Sequence, residues 1–169
     1  ISAVVSCMDT AKNAIFAGKT AVQNPVFYMS MGGPSAGKGS VGSLIKAECG
    51  ENWVETSLDE FRNYSDLYKL LVAAEHHADD YTLVERMSNS LRDWVKDHAL
   101  AEGYNLLYDG SGIAYPNRYD KIVADFKKQG FNTRLSAVDA PMGPVTQRIL
   151  ERLEKKHRTV PWTVTVDKH

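Results

Sequence analysis

An α/β fold around a mainly parallel sheet is predicted by three observations. Short apolar runs alternate with helical patterns along the chain. A glycine-rich turn joins the first of these runs to the first helix after it. Acidic residues stand at the ends of the next two runs, where a parallel sheet gathers its ligands. The 169 residues suffice for one compact domain. With 43% hydrophobic and 24% charged residues, the chain can bury a core of ordinary size.

The elements follow in order. Residues 1–17 carry Val4, Val5, Met8, Ala11, Ile15 and Phe16, which predicts a helix packed on the domain and ended by Gly18. Asn24-Pro25 breaks the chain. Residues 26–31, Val-Phe-Tyr-Met-Ser-Met, read as a strand buried on both faces. After the glycine-rich turn, residues 40–49 predict a helix closed by Gly50. Residues 53–56 predict a short second strand. Residues 82–102 show helical spacing at 83, 84, 87, 91, 94 and 95, and Gly103 ends that helix. Residues 105–108 predict a strand running into Asp109-Gly110-Ser111-Gly112. A helix over 119–128, a strand over 133–138 and a helix over 144–156 complete the pattern. The expected organisation is a helical segment at 1–24 and a domain at 25–169. The start at Ile1 and the stop at His169 predict that both belong to a longer chain.

Bulk properties exclude several classes. The net charge of −1 leaves no chain-wide field for nucleic acid or an anionic membrane. Trp53, Trp94 and Trp162 do not interleave with a basic stripe, so they read as packing residues. No apolar run approaches the roughly 18 residues of a membrane span. Cys7 and Cys49 are far apart and outside any metal-ligand spacing, which suits a reducing, cytoplasmic setting. His76-His77 with Asp79-Asp80 is read as a solvated loop, because adjacent histidines make a poor ligand pattern.

The chemistry concentrates in Gly32-Gly33-Pro34-Ser35-Ala36-Gly37-Lys38, which fits G-x-x-x-x-G-K between a strand and a helix. Glycines let successive backbone N–H groups converge on an anion, and the helix N-terminus adds partial positive charge. Lys38 supplies a full charge to the β- and γ-phosphates of a nucleotide. The fold class sharpens accordingly to a P-loop, nucleoside-kinase-like three-layer sandwich. Gly33 to Ser40 is the expected ATP cradle. Gly39 stands where the strict motif has Ser or Thr, and Gly-Lys-Gly-Ser resembles the Gly-Lys-Gly-Thr of nucleoside monophosphate kinases. Mg²⁺ is therefore expected on Ser40, on waters or on Asp109.

Asp109 closes an apolar strand, where it either orders a metal or caps the next turn. Asp59, in Ser57-Leu58-Asp59-Glu60-Phe61-Arg62, is placed either to take a hydroxyl proton or to cap the following helix. Arg148 and Arg152 share a helical face, and Arg158 follows. By composition alone, that run is a solvated face.

The order of these parts resembles the zeta-toxin family of small-molecule kinases, from about Pro25 to His169. The resemblance rests on Met31–Ser40, on Asp59-Glu60-Phe61-Arg62 and on the long helix at 82–102. It also rests on Asp109-Gly110-Ser111-Gly112 and on the stretch from Arg152 to Pro161. It implies that Lys38 binds phosphates, Asp59 is the general base, Asp109 helps order Mg²⁺, and Arg152 and Arg158 are lid arginines. Arg62, Glu85 and Ser88 become candidate substrate contacts. Asp109 replaces the family's usual Glu, and Ile113 stands where many relatives carry Arg. The implied reaction is phosphoryl transfer from ATP to a hydroxyl of UDP-N-acetylglucosamine or of NAD, by a toxin or effector. An antitoxin or chaperone-like inhibitor is the implied partner, and the cytoplasm (a host's, for a secreted effector) the implied place. The alternatives carried forward are a nucleoside monophosphate kinase and an inactive nucleotide-binding module.

Overall fold

The computed structural model describes residues 2–74, 84–111 and 117–156. Helix α1 (Ser2–Phe16) leads into strand β1 (Val26–Met31), helix α2 (Lys38–Cys49) and strand β2 (Val54–Thr56). Two short helices follow, α3 (Leu58–Phe61) and α4 (Asp66–Ala73), joined by a 3-10 turn at Arg62–Tyr64. Then come α5 (Glu85–Glu102), β3 (Leu106–Gly110), α6 (Asn117–Lys128), β4 (Asn132–Ala137) and α7 (Met142–Lys156).

Among the described residues the strands form one sheet in the order β2-β3-β1-β4, and every pairing is parallel. All carboxyl ends therefore point to one edge. β1 and β3 are flanked on both sides, so their apolar residues are shielded without a polar alternation. β4 is an outer strand with no fully buried residue.

The two sheet faces are covered unequally. Phe27, Met29, Val54, Leu106 and Tyr108 face α1, α5 and α6 and join Ala11, Leu91, Val95, Tyr119 and Phe126 in one core. The Phe27 and Phe126 rings stack at 4.0 Å, and Phe131 meets Phe126 edge-on at 4.8 Å. Truncating Phe27 to Ala would cost about 3–5 kcal/mol, because a packed ring leaves a cavity behind. The opposite face carries α2, which has no fully buried residue. Beneath it lies a groove of about 640 Å³ bounded by Tyr28, Val41, Leu44 and Trp53. None of the candidate site residues lines that groove.

Most expected elements are present, with shifted ends. The strand read at 105–108 reaches Gly110, so Asp109 lies within it. The first helix after the glycine-rich turn starts at Lys38. The long helix is described from Glu85. The segment at 58–73 holds two helices that the apolar spacing did not reveal, because each is short and nucleated by its own serine cap. Ser57 accepts from the Glu60 amide at 3.4 Å, and Ser65 accepts from the Tyr68 amide at 3.3 Å. His76, His77, Asp79, Asp80 and Trp162 lie outside the described residues.

Candidate active site

The site is built where β1 ends. Gly32 cannot carry a side chain, since a Cβ there would meet the Val138 carbonyl oxygen at 2.5 Å. That contact brings the end of β4 against the turn, and the Val138 amide donates to the Met31 carbonyl at 2.7 Å. The loop then turns left-handed twice, at Ser35 (φ 59°) and at Gly37 (φ 112°). Gly37 is the N-cap of α2 and supplies no side-chain bond, so the Lys38 and Gly39 amides at the start of α2 have no cap to occupy them.

Lys38 folds back over this loop. Its Nζ donates to the Gly32 carbonyl at 2.8 Å and to the Gly33 carbonyl at 2.9 Å. It also lies 3.7 Å from Oδ1 of Asp109, an ion pair longer than a hydrogen bond. Asp109 sits opposite Ser30 in the β1–β3 register, one strand from the loop. Its backbone is fixed by β2, since the Asp109 amide donates to Oγ1 of Thr56 at 3.1 Å. Its side chain is divided: Oδ1 is buried with no hydrogen-bond partner, while the whole side chain is 44% exposed. Burial raises its pKa to about 6, and Asp59 adds to the rise, while Lys38 and Arg92 oppose it.

Asp59 follows the carboxyl end of β2, whose Thr56 pairs with Tyr108 beside Asp109, so both carboxylates stand at the same end of the sheet as Lys38. Asp59 is the second residue of α3, and its Oδ1 lies 3.4 Å from Nη1 of the buried Arg62. The helix-capping reading of Asp59 is corrected: Ser57 is the cap, and Asp59 lies in the first turn of α3. Asp109 is a backbone-paired residue of β3.

The remaining predicted residues are distributed as follows. Gly33, Pro34, Ser35, Ala36, Gly37 and Gly39 form the loop and the start of α2. Ser40 is exposed in the first turn of α2, its amide bonded to the Gly37 carbonyl at 3.0 Å. Glu85 opens α5. Ser88 is buried one turn later, and its hydroxyl donates to the Val84 carbonyl at 3.1 Å within its own helix. Arg152 lies on α7, and Arg158 lies beyond the described residues.

Two arginines that sequence reasoning set aside or passed over touch this region. Arg148, taken as part of a solvated face, donates from Nη1 to the Ser35 carbonyl at 2.9 Å. It ties α7 to the phosphate loop across 113 residues of sequence. Arg92 is 6% exposed on α5 and lies over the Tyr108 ring. Its one sequence signal is a charge at a position where the helical period calls for an apolar residue.

The zeta toxin family model matches residues 11–169. The chain belongs to the zeta toxin family. Two zeta toxins, from Streptococcus pyogenes and Enterococcus hirae, are each 25% identical over 150 residues. Each match covers 86% of this chain and 50% of the toxin, so the chain spans half the length of these relatives. A chain from the PezAT chromosomal toxin–antitoxin system of Streptococcus pneumoniae superposes with a TM-score of 0.76 at 19% identity. That superposition covers 91% of this chain and 63% of the other. A chain of the AvrRxo1-ORF1:-ORF2 structure with ATP gives a TM-score of 0.61 at 17% identity, covering 98% and 51%. At these identities the structural likenesses establish the fold: a zeta-toxin-like P-loop domain on an all-parallel four-stranded sheet. Among the described residues, no helix is long and apolar enough to cross a membrane.

Proposed function

We propose that this zeta-toxin domain transfers the γ-phosphate of ATP to a hydroxyl of a small nucleotide-containing acceptor, of the UDP-N-acetylglucosamine or NAD type. The observation that carries the reading is the convergence of one ammonium and two carboxylates, Lys38, Asp109 and Asp59, at the carboxyl edge of the sheet. The zeta toxins that the chain matches, and the ATP named with one structural neighbour, support a nucleotide donor.

In this reading Lys38 exchanges its bonds to the Gly32 and Gly33 carbonyls for phosphate oxygens, a charge-assisted gain. The loop amides and the start of α2 hold the same oxygens. Asp59 accepts the acceptor's hydroxyl proton as the oxygen attacks the γ-phosphorus. The bond to the β-phosphate oxygen breaks, and ADP leaves with that electron pair. Arg62, 3.4 Å from Oδ1 of Asp59, holds that carboxylate in place. Arg152 and Arg158 are the proposed lid arginines, with Arg62, Glu85 and Ser88 as acceptor-side residues. Oδ1 of Asp109, buried and held only by the long ion pair to Lys38, has acceptor capacity that a cation or its water would satisfy. Asp109 and Ser40 would hold Mg²⁺, which when bound neutralises charge on the transferring phosphate.

A nucleoside monophosphate kinase reading is weaker, because an acceptor phosphate has no proton for Asp59 to take. The toxin–antitoxin system named with one neighbour supports an antitoxin as partner. A toxin or effector acting in the cytoplasm completes the reading. The test is incubation of the full chain with Mg-ATP, UDP-N-acetylglucosamine, NAD and a metabolite mixture, followed by mass spectrometry for a species gaining one phosphate. Such a product, lost in Asp59→Asn, is expected. No phosphorylated species in any mixture would overturn the reading.

A further inference from the structure

Strand β3 outruns its neighbours. Its pairing with β2 ends at Tyr108, opposite Thr56, and its pairing with β1 ends at Gly110, opposite Met31. The backbone at and beyond these points still needs partners, because a buried N–H left unpaired costs about as much as a lost hydrogen bond. Different elements supply them in succession. The Asp109 amide donates to Oγ1 of Thr56, from β2, at 3.1 Å. The Gly110 carbonyl accepts from the amide of Gly32, the first residue of the phosphate loop, at 3.2 Å. The Ser111 amide donates to Oη of Tyr119, from the first turn of α6, at 3.1 Å.

Packing explains the ring of Tyr119 but not its hydroxyl. Tyr119, Ile122 and Phe126 form the buried stripe of α6, and the Tyr119 ring meets the Tyr108 ring edge-on with centroids 6.4 Å apart. A phenylalanine would fill that place equally. The hydroxyl reaches past the core to the end of β3, where it accepts the Ser111 amide. It also lies 3.4 Å from the Ser111 hydroxyl, and either oxygen can be the donor. Gly110 leaves room for this approach, since a Cβ there would meet both Cζ and Oη of Tyr119 at 3.3 Å. The phenol is thus held against the residue that separates Asp109 from Ser111, and the carbonyl of that same residue is tied to the phosphate loop.

We propose that Tyr119 is a positioning residue: by holding Ser111 it fixes the end of β3, and with it the spacing between the Asp109 carboxylate and the phosphate loop. Oδ1 of Asp109 stands 3.7 Å from Nζ of Lys38. A cation shared by that carboxylate and phosphate oxygens tolerates little slack, and a displacement of about 1 Å can cost about 10²-fold in rate. Neither β1 nor β2 pairs with Ser111, so without the Tyr119 oxygen its amide has no acceptor from the sheet. The strand end is then free to shift as far back as Gly110 and its bond to Gly32. Tyr119 acts through Asp109, not on the substrate. The inference rests on the reading above in taking Asp109 as the metal carboxylate of the transfer site.

The test uses the full chain and a non-hydrolysable ATP analogue, with binding followed by calorimetry across a Mg²⁺ titration. In Tyr119→Phe the Mg²⁺ concentration for half-maximal binding should rise about tenfold, the loss typical when a group supporting a metal ligand is removed. Affinity measured without Mg²⁺ should stay at the wild-type value. Gly110→Ala pushes the phenol aside and should raise the Mg²⁺ requirement in the same direction. Exchange of the Ser111 amide with solvent, read by NMR in the metal-free protein, should speed up about fivefold in Tyr119→Phe, with the amides of α5 unchanged. In transfer assays the loss should fall on kcat, about tenfold, and should shrink as Mg²⁺ is raised. A packing role alone would lower the melting temperature without moving the Mg²⁺ requirement. A wild-type Mg²⁺ requirement in either variant overturns the proposal, as does nucleotide binding by the wild type that is indifferent to Mg²⁺. Failure of transfer with every acceptor would sink the phosphotransfer reading while leaving a shifted Mg²⁺ requirement standing. Transfer by the wild type beside an unshifted requirement in Tyr119→Phe would sink this proposal alone.

Discussion

The two sides of the crevice are assembled differently. Lys38 and its loop come from one uninterrupted run, Gly32–Ser40, between β1 and α2. Asp59 and Arg62 come from α3 and the turn after it, with Thr56 of β2 and Asp109 of β3 alongside. The first side presents backbone amides, and its geometry is set by a Gly32 that admits no Cβ and a Gly37 in left-handed conformation. The second side presents charged side chains that are buried or half-buried, and these depend on the sheet for their positions. The donor side should therefore tolerate changes elsewhere, whereas the acceptor side should answer to changes in any of several elements.

The largest expected effect separates the two sides outright. Asp59→Asn should lower transfer by about 10²–10⁴-fold, the contribution of a general base, while nucleotide affinity stays within a factor of two or so of wild type. A calorimetric titration beside a transfer assay decides it, and a parallel fall in both would merge the two sides into one. Lys38→Ala should instead weaken nucleotide binding, by about 10–10²-fold, since a charge-assisted contact contributes about 1.5–3 kcal/mol. An unchanged nucleotide Kd would remove the donor side from the reading.

Gly32→Ala probes the loop's dependence on its neighbours. The added methyl would meet a backbone oxygen at 2.5 Å, so loop or strand must shift. A loss of about 1–3 kcal/mol in unfolding free energy is expected from denaturant titration. A wild-type value would show that the β4 end yields freely.

The pH dependence concerns Asp109, which sits between the two sides. Its folded pKa is raised from 3.8 to about 6, so the protonated form is the one that folding favours. Its contribution to stability is complete below about 4 and is lost as pH rises through about 6, the reverse of the usual salt-bridged carboxylate. Metal-free wild type should therefore lose stability relative to Asp109→Asn across that window, and a flat difference between the two melting curves would contradict the assignment. If Asp109 holds Mg²⁺ as proposed, Mg-dependent nucleotide binding should rise over the same range. The smallest effect is expected for Arg148→Ala. Its exposed bond to the Ser35 carbonyl contributes about 1 kcal/mol, so nucleotide Kd should rise only several-fold.

The sequence by itself determined the donor side, the sheet's apolar strands and the parallel α/β class. Each is written locally, in a glycine pattern, a run of apolar residues or a helical period. It placed Asp59 and Asp109 at strand ends but left open whether they were caps or chemistry. Only the tertiary structure shows what surrounds them. Ser57 took the capping role, and the strand order β2-β3-β1-β4 carried Asp59 and Asp109 to the edge where Lys38 stands. The same holds for Arg148, which reads as surface until α7 returns to the loop, and for Arg92, which is merely out of period until α5 packs on Tyr108. Backbone conformation is set by neighbours in the chain, but the partner of a charged side chain is set by neighbours in space, and a strand order that is not the chain order leaves no trace in a linear spacing.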